Sequence, residues 1–232
     1  MRYQFVDCRW SLTDPDFGRR AYLDGHIPGA TFLDVDRDLA GTPGDGGRHP
    51  LPSADDFARA AEAAAVGDDV FVVAYGTMGG AERLWWLLRH FGHGDCAVVD
   101  FESWRGALER GEPRAARAGF NPHERTGDTI DLDELRERLD EVVLVDARTP
   151  ARFRGEANPF DRVPGRIPTA LNAPWDEPLP ELPDGELVAY CGSGITSCVT
   201  LHRLHLDGRD GRLYPGSWSE WEQHDELPRE RE

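Results

Sequence analysis

Short apolar runs rich in β-branched residues alternate along this chain with stretches whose apolar positions recur at helical spacing. FVDCRW (5–10) and FVVAYG (71–76) read as strands in the first half, VVLVDA (142–147) and LVAYC (187–191) in the second. Leu84, Trp85, Leu87 and Leu88 repeat at helical spacing, as do Ile195, Cys198, Val199 and His202. Strands buried on both faces read as near-continuous apolar runs, not as alternating ones. The pattern therefore predicts an α/β fold whose mostly parallel sheets carry helices on both faces. A further helix is predicted within DLDELRERLDE (131–141).

The order of segments occurs twice. FVDCRW, DGHIPGATFLDVD (24–36), FVVAYGTMGGAERLWWLLRHFG (71–92) and VVDFESW (98–104) make the first set. VLVDARTPARF (143–153), PGRIPTALNAPW (164–175), ELVAYCGSGITSCVTLHRLHLDG (186–208) and RLYPGSW (212–218) make the second. A repeat about a domain long is a duplication and not a solenoid. It divides the chain into domains at 1–112 and 128–232. Between them the sequence is charged, contains Gly and Pro and shows no period, so 113–127 is expected to be a linker.

A length of 232 residues suits two domains of ordinary size. The formal net charge is −17 and every basic side chain apart from histidine is arginine. Nucleic acid is thereby disfavoured as a partner, because phosphate binding wants a basic surface. No apolar run approaches the roughly 20 residues that span a bilayer, and the first residues lack the apolar core of a secretory signal. A soluble, cytoplasmic protein with no membrane partner is expected. The acidic end HDELPRERE (224–232) reads as solvated surface.

Cys8, Cys96, Cys191 and Cys198 are too few for a disulfide scaffold and include no CxxC pair. Cys8, Cys96 and Cys198 read as core residues. The pairs His90/His93 and His202/His205 lack a neighbouring carboxylate or cysteine to complete a metal site. Asp7 with Arg9, and Asp146 with Arg148, read as structural ion pairs just past strand ends. Cys191 differs. It stands where a buried strand gives way to a helix, at the end of a parallel strand where ligands bind in such sheets. Helix N-termini present free N–H groups and positive dipole ends, and Gly192 and Gly194 let the backbone approach closely. Such a loop lowers a thiol pKa and holds an anion on or beside the sulfur. A buried structural cysteine beside a glycine turn is the plainer alternative.

VDARTPARFRGE, GHIPGA with its echo GRIPTA, CGSGIT and LYPGSWSEW together resemble the tandem-domain rhodanese-like sulfurtransferases, the 3-mercaptopyruvate and thiosulfate sulfurtransferase family, over nearly the whole chain. The resemblance implies two rhodanese-like domains, with catalysis in the second. Gly76 aligns with Cys191, so the first domain lacks the nucleophile. The resemblance also implies that Cys191 becomes a persulfide held by the N–H groups of Gly192, Ser193, Gly194, Ile195 and Thr196. It implies that Ser193, His49 and Asp36 form a relay and that Arg152 binds the donor carboxylate. Arg162 lies near, but out of register with, a second substrate arginine of the family. The loop holds no basic residue, which favours 3-mercaptopyruvate over thiosulfate. The implied partners are a small sulfur-donor anion and a thiol, cyanide or thioredoxin-like acceptor, with no cofactor and no metal. Two alternatives remain. A cell-cycle-type phosphatase would need a longer loop and a closing arginine, which are missing. A non-catalytic module binding sulfur carriers or proteins would not need Cys191.

Overall fold

The computed structural model describes residues 2–113 and 118–231, so part of the expected linker, 114–117, lies outside the described residues. Among the described residues the strands form two four-stranded sheets, every pairing parallel. The chain divides into two compact units, one of Met1–Gly41 and Leu51–Arg125, the other of Thr42–Pro50 and Thr126–Glu232.

The first unit begins with β1 (Arg2–Cys8), α1 (Phe17–Asp24) and β2 (Thr31–Phe32). It continues with α2 (Ala54–Ala63), β3 (Val70–Gly76), α3 (Gly80–His90) and β4 (Cys96–Val98). Its strand order is β2-β1-β3-β4, and β1 pairs with β3 from Arg2↔Val70 to Cys8↔Gly76. The second unit contains α4 (Leu132–Glu137), β5 (Val143–Asp146), α5 (Pro150–Phe153), β6 (Leu171–Asn172) and β7 (Leu187–Tyr190). It ends with α6 (Ser197–Leu206), β8 (Arg212–Leu213) and α7 (Ser217–Trp221). The order β6-β5-β7-β8 repeats that of the first sheet. In both sheets the two central strands are those the apolar runs mark, because only strands covered on both faces can be apolar throughout.

Two places depart from the sequence pattern. α4 starts where expected, with Asp131 accepting the Glu134 N–H, but ends at Glu137. Beyond it the backbone turns through Arg138, whose guanidinium is held by Glu134, Glu141 and Glu186. Residues 118–125, expected to be linker, are strapped to the first unit. Phe120 is buried edge-on against Phe57, Asn121 binds Asp68, and the N–H groups of His123 and Arg125 donate to the carbonyls of Phe91 and His90. The strap shows no periodicity because main-chain bonds to loops hold it, and no sheet or helix repeats along it. The acidic end makes contacts of its own. Glu230 pairs with Arg166 as an antiparallel bridge, Arg231 donates to the Pro164 carbonyl, and Trp221 donates to that of Pro228. Asp225, Glu226, Glu230 and Arg231 stay exposed, so the stretch is solvated surface as expected, and these contacts fix where it lies.

The segment Thr42–Pro50 clusters with the second unit although its neighbours in sequence belong to the first. Arg48 N–H donates to Ser219 Oγ at 3.0 Å, and Gln223 Nε2 donates to the Gly44 carbonyl at 3.3 Å. A Cβ at Gly47 would lie 2.6 Å from Ser219 Oγ, so contact this close requires glycine.

Candidate active site

β7 delivers Cys191 to its C-terminal end, and the chain from Gly192 to Thr196 folds back into α6. Its shape is set from behind. Cys191 N–H donates to Ser217 Oγ at 3.1 Å. The carbonyls of Cys191 and Gly192 accept from the N–H groups of Trp218 (3.0 Å) and Ser219 (2.9 Å) at the start of α7. With these carbonyls turned toward α7, the following N–H groups are free to turn toward the sulfur. Gly194, at φ 82°, makes the reversal, and its N–H points at Cys191 Sγ at 3.2 Å.

Cys191 is almost wholly buried. Burial pushes its thiol up. The hydroxyls of Thr196 and Ser197 and the N–H groups of Ser193 and Ser197 more than reverse that, leaving its pKa below the ordinary thiol value. The other cysteines behave as the core readings require, or nearly so. Burial raises Cys8 well above that value and Cys96 to about 12. Cys198 is fully buried, its thiol donating to the Gly194 carbonyl at 3.4 Å, whereas Cys96 is only half-buried.

Ser193 and His49 come together. Both are buried, and His49 Nδ1 lies 2.7 Å from Ser193 Oγ, a contact made because Thr42–Pro50 belongs to this unit. Asp36 belongs to the first unit, where its N–H donates to Asp34 Oδ1.

Arg152, on α5, reaches the loop. A Cβ built on Gly192 would lie 2.7 Å from Arg152 Nη2 and 3.1 Å from Arg48 Nη2. Two guanidinium groups thus stand over the residue that follows the cysteine. Arg48 also donates to the carbonyls of Phe160 (2.9 Å) and Gly192 (3.2 Å). Burial lowers its pKa, and the like charge of Arg152 lowers it further. Two crowded cations over a loop of inward N–H groups form a place for an anion. Arg162 lies elsewhere, exposed and paired with Asp225 at 3.3 Å.

Sequence reasoning passed over three residues here. Arg48 directly precedes His49 in the sequence, yet only the fold brings it to Gly192. Asp161 carries no sequence signal that singles it out, and it holds Arg152. Ser197 Oγ is fully buried, with no hydrogen-bond partner other than the nearby sulfur. Among the described residues, no group of three or more His, Cys, Asp or Glu is placed to hold a metal ion, and no helix is long and apolar enough to cross a membrane.

A family model for the rhodanese-like domain matches residues 1–107 and again 131–224. A Pseudomonas aeruginosa protein named "Probable 3-mercaptopyruvate sulfurtransferase" is 39% identical over 93% of this chain and 88% of its own length. The human 3-mercaptopyruvate sulfurtransferase is 33% identical over 94% of this chain and 84% of its own length. Among solved structures, the 3-mercaptopyruvate sulfurtransferase SseA from Escherichia coli superposes with a TM-score of 0.80 at 29% identity, covering 94% of this chain and 93% of that one. Two matched domains in one duplicated fold, and sulfurtransferases aligned with nearly the whole chain, establish that this protein belongs to the tandem rhodanese-domain family of sulfurtransferase enzymes.

Proposed function

We propose that the protein moves a sulfane sulfur from a small anionic donor, 3-mercaptopyruvate before thiosulfate, to a thiol acceptor through a persulfide on Cys191. The observation that carries this reading is a buried thiol with a lowered pKa at the foot of a loop over which Arg48 and Arg152 both stand. Buried thiols otherwise rise, as Cys8 and Cys96 do.

In the first step the Cys191 thiolate attacks the donor sulfur, forming an S–S bond as the donor's C–S bond breaks. The electron pair of that bond leaves on carbon as the enolate of pyruvate, which then takes a proton. Arg152 and Arg48 hold the donor carboxylate. The Ser193–His49 pair passes the proton from donor sulfur to the departing carbon. The N–H groups of Gly192 to Thr196 hold the resulting persulfide anion. In the second step an acceptor thiol, cyanide or a thioredoxin-like protein attacks the outer sulfur and returns Cys191 as thiolate. Arg48 takes the place of the second guanidinium, leaving Arg162 as the weaker candidate. A thiosulfate reading draws on the same two arginines.

Incubation with each donor, free of reductant, followed by intact mass measurement tests the proposal. The expected result is a gain of one sulfur atom, removed by added thiol and missing in Cys191→Ser. No gain on Cys191 with either donor would overturn it. Arg152→Ala is expected to lower kcat/KM for 3-mercaptopyruvate by about 10- to 100-fold, the range for a lost hydrogen bond to a charged group.

A further inference from the structure

The two arginines above Gly192 are backed by carboxylates. Asp161 is almost wholly buried. Its Oδ2 accepts from Arg152 Nε at 2.9 Å and its Oδ1 from Arg152 Nη2, a two-pronged pair. Asn158 fixes it, donating from Nδ2 to Oδ2 at 3.0 Å and accepting the N–H groups of Phe160 and Asp161 on its own carbonyl oxygen. Arg148 Nη1 lies 3.4 Å away, but Arg148 already has Asp146 and the Gly165 carbonyl. Asp161 therefore spends its charge chiefly on Arg152. Burial pushes the Asp161 carboxyl up, and Arg152 and Arg148 outweigh that, so it stays ionised. Glu222 lies 3.7 Å from Arg48 Nη1, too far for a hydrogen bond, while its Oε2 accepts the Val163 N–H and burial pushes its carboxyl pKa up.

The arginine pair thus does not present two uncompensated charges. We propose that Asp161, seconded by Glu222, is a positioning and specificity-determining residue: it presents Arg152 to the loop and cancels part of the charge there, favouring a donor with one negative charge over a donor with two. The proposal rests on the reading that Arg48 and Arg152 receive the donor anion. At neutral pH 3-mercaptopyruvate carries one full charge, on its carboxylate, and thiosulfate carries two. Removing a carboxylate beside the site raises the attraction for each donor in proportion to its charge, so the gain is larger for the dianion.

The test is the ratio of kcat/KM for thiosulfate to that for 3-mercaptopyruvate in the full chain. Asp161→Asn is expected to raise this ratio on the order of tenfold. Loosening of Arg152 lowers both rates and largely cancels in the ratio. Asp161→Glu keeps the charge while shifting Arg152, and is expected to lower both rates yet leave the ratio near the parent's. If Asp161→Asn fails to fold, Glu222→Gln carries the test, with a smaller shift in the same direction. An unchanged or falling ratio in whichever of these two variants folds would overturn the assignment, as would an equal shift in Asp161→Glu and Asp161→Asn. Failure of both donors to place sulfur on Cys191 in the parent would instead strike the underlying reading.

Discussion

Tyr75 and Tyr190 occupy matching places in the two units. Each lies at the C-terminal end of its central strand, and each phenol oxygen accepts an N–H from within the GHIPGA-like motif, Ile27 at 3.3 Å and Ile167 at 3.2 Å. The buried ion pairs match as well. Arg9 binds Asp7 and the Gly25 carbonyl beneath Phe101, and Arg148 binds Asp146 and the Gly165 carbonyl beneath Trp218. One residue later the two units part. A Cβ at Gly76 would lie 2.7 Å from the Cys8 carbonyl and 3.0 Å from Ala81 N. At Cys191 the side chain fits, and donors surround it. The next loop residue in the first unit, Thr77, exchanges hydrogen bonds with the backbone of Trp10, and the Trp10 indole donates to the Met78 carbonyl. In the second unit the corresponding space holds sulfur, hydroxyls and N–H groups. The scaffold is common to both units. The two loops differ in a few residues, and only the second holds a cysteine among such donors.

The largest effect expected from this contrast is the loss of sulfur transfer in Cys191→Ser, by at least about a thousandfold in kcat/KM, with unchanged thermal unfolding. Residual turnover at a tenth of the parent rate would place the chemistry outside this loop. Next come His49→Gln and Ser193→Ala. Each should lower kcat about a hundredfold while leaving KM little changed, as loss of a proton-transfer group does. A change confined to KM would make the pair a binding feature. Third, reaction with a small alkylating agent should separate the cysteines by pH. Because the Cys191 pKa is lowered, its thiolate disappears only as pH falls through a value below the ordinary thiol range, so its reaction persists there. Cys96, at about 12, stays a thiol through neutral pH and should remain unlabelled. The smallest effect is on stability. Gly76→Ala should cost about 1–3 kcal/mol, the range for overpacking, read from denaturant unfolding, and should create no second reactive centre.

Much of this arrangement could be read before any coordinates. A strand that must be covered on both faces has to be apolar, and so VLVD and LVAY declare themselves. Gly192 and Gly194 in the next few positions mark a tight loop for reasons that stay within those residues. For the segments without regular structure the pattern did not say where they attach. The strap 118–125 and the end 224–231 carry no period because each binds loops far off in sequence.

By itself, then, the order of residues determined the two α/β units and the strand end that carries Cys191, both of which follow from local periodicity. The reading of Gly76 as silent and of Arg152 as a carboxylate binder came from the family resemblance. Only the tertiary structure decided that Arg48 and His49 join the unit of Cys191, that Asp161 and Glu222 offset the arginines, and that α7 turns the loop carbonyls away from the sulfur. The reason is physical. Arg48 and His49 meet the loop from 144 residues away, and Asp161 and α7 act from irregular segments or loop ends, through hydrogen bonds and charge contacts a few ångströms long that leave no periodic pattern along the chain.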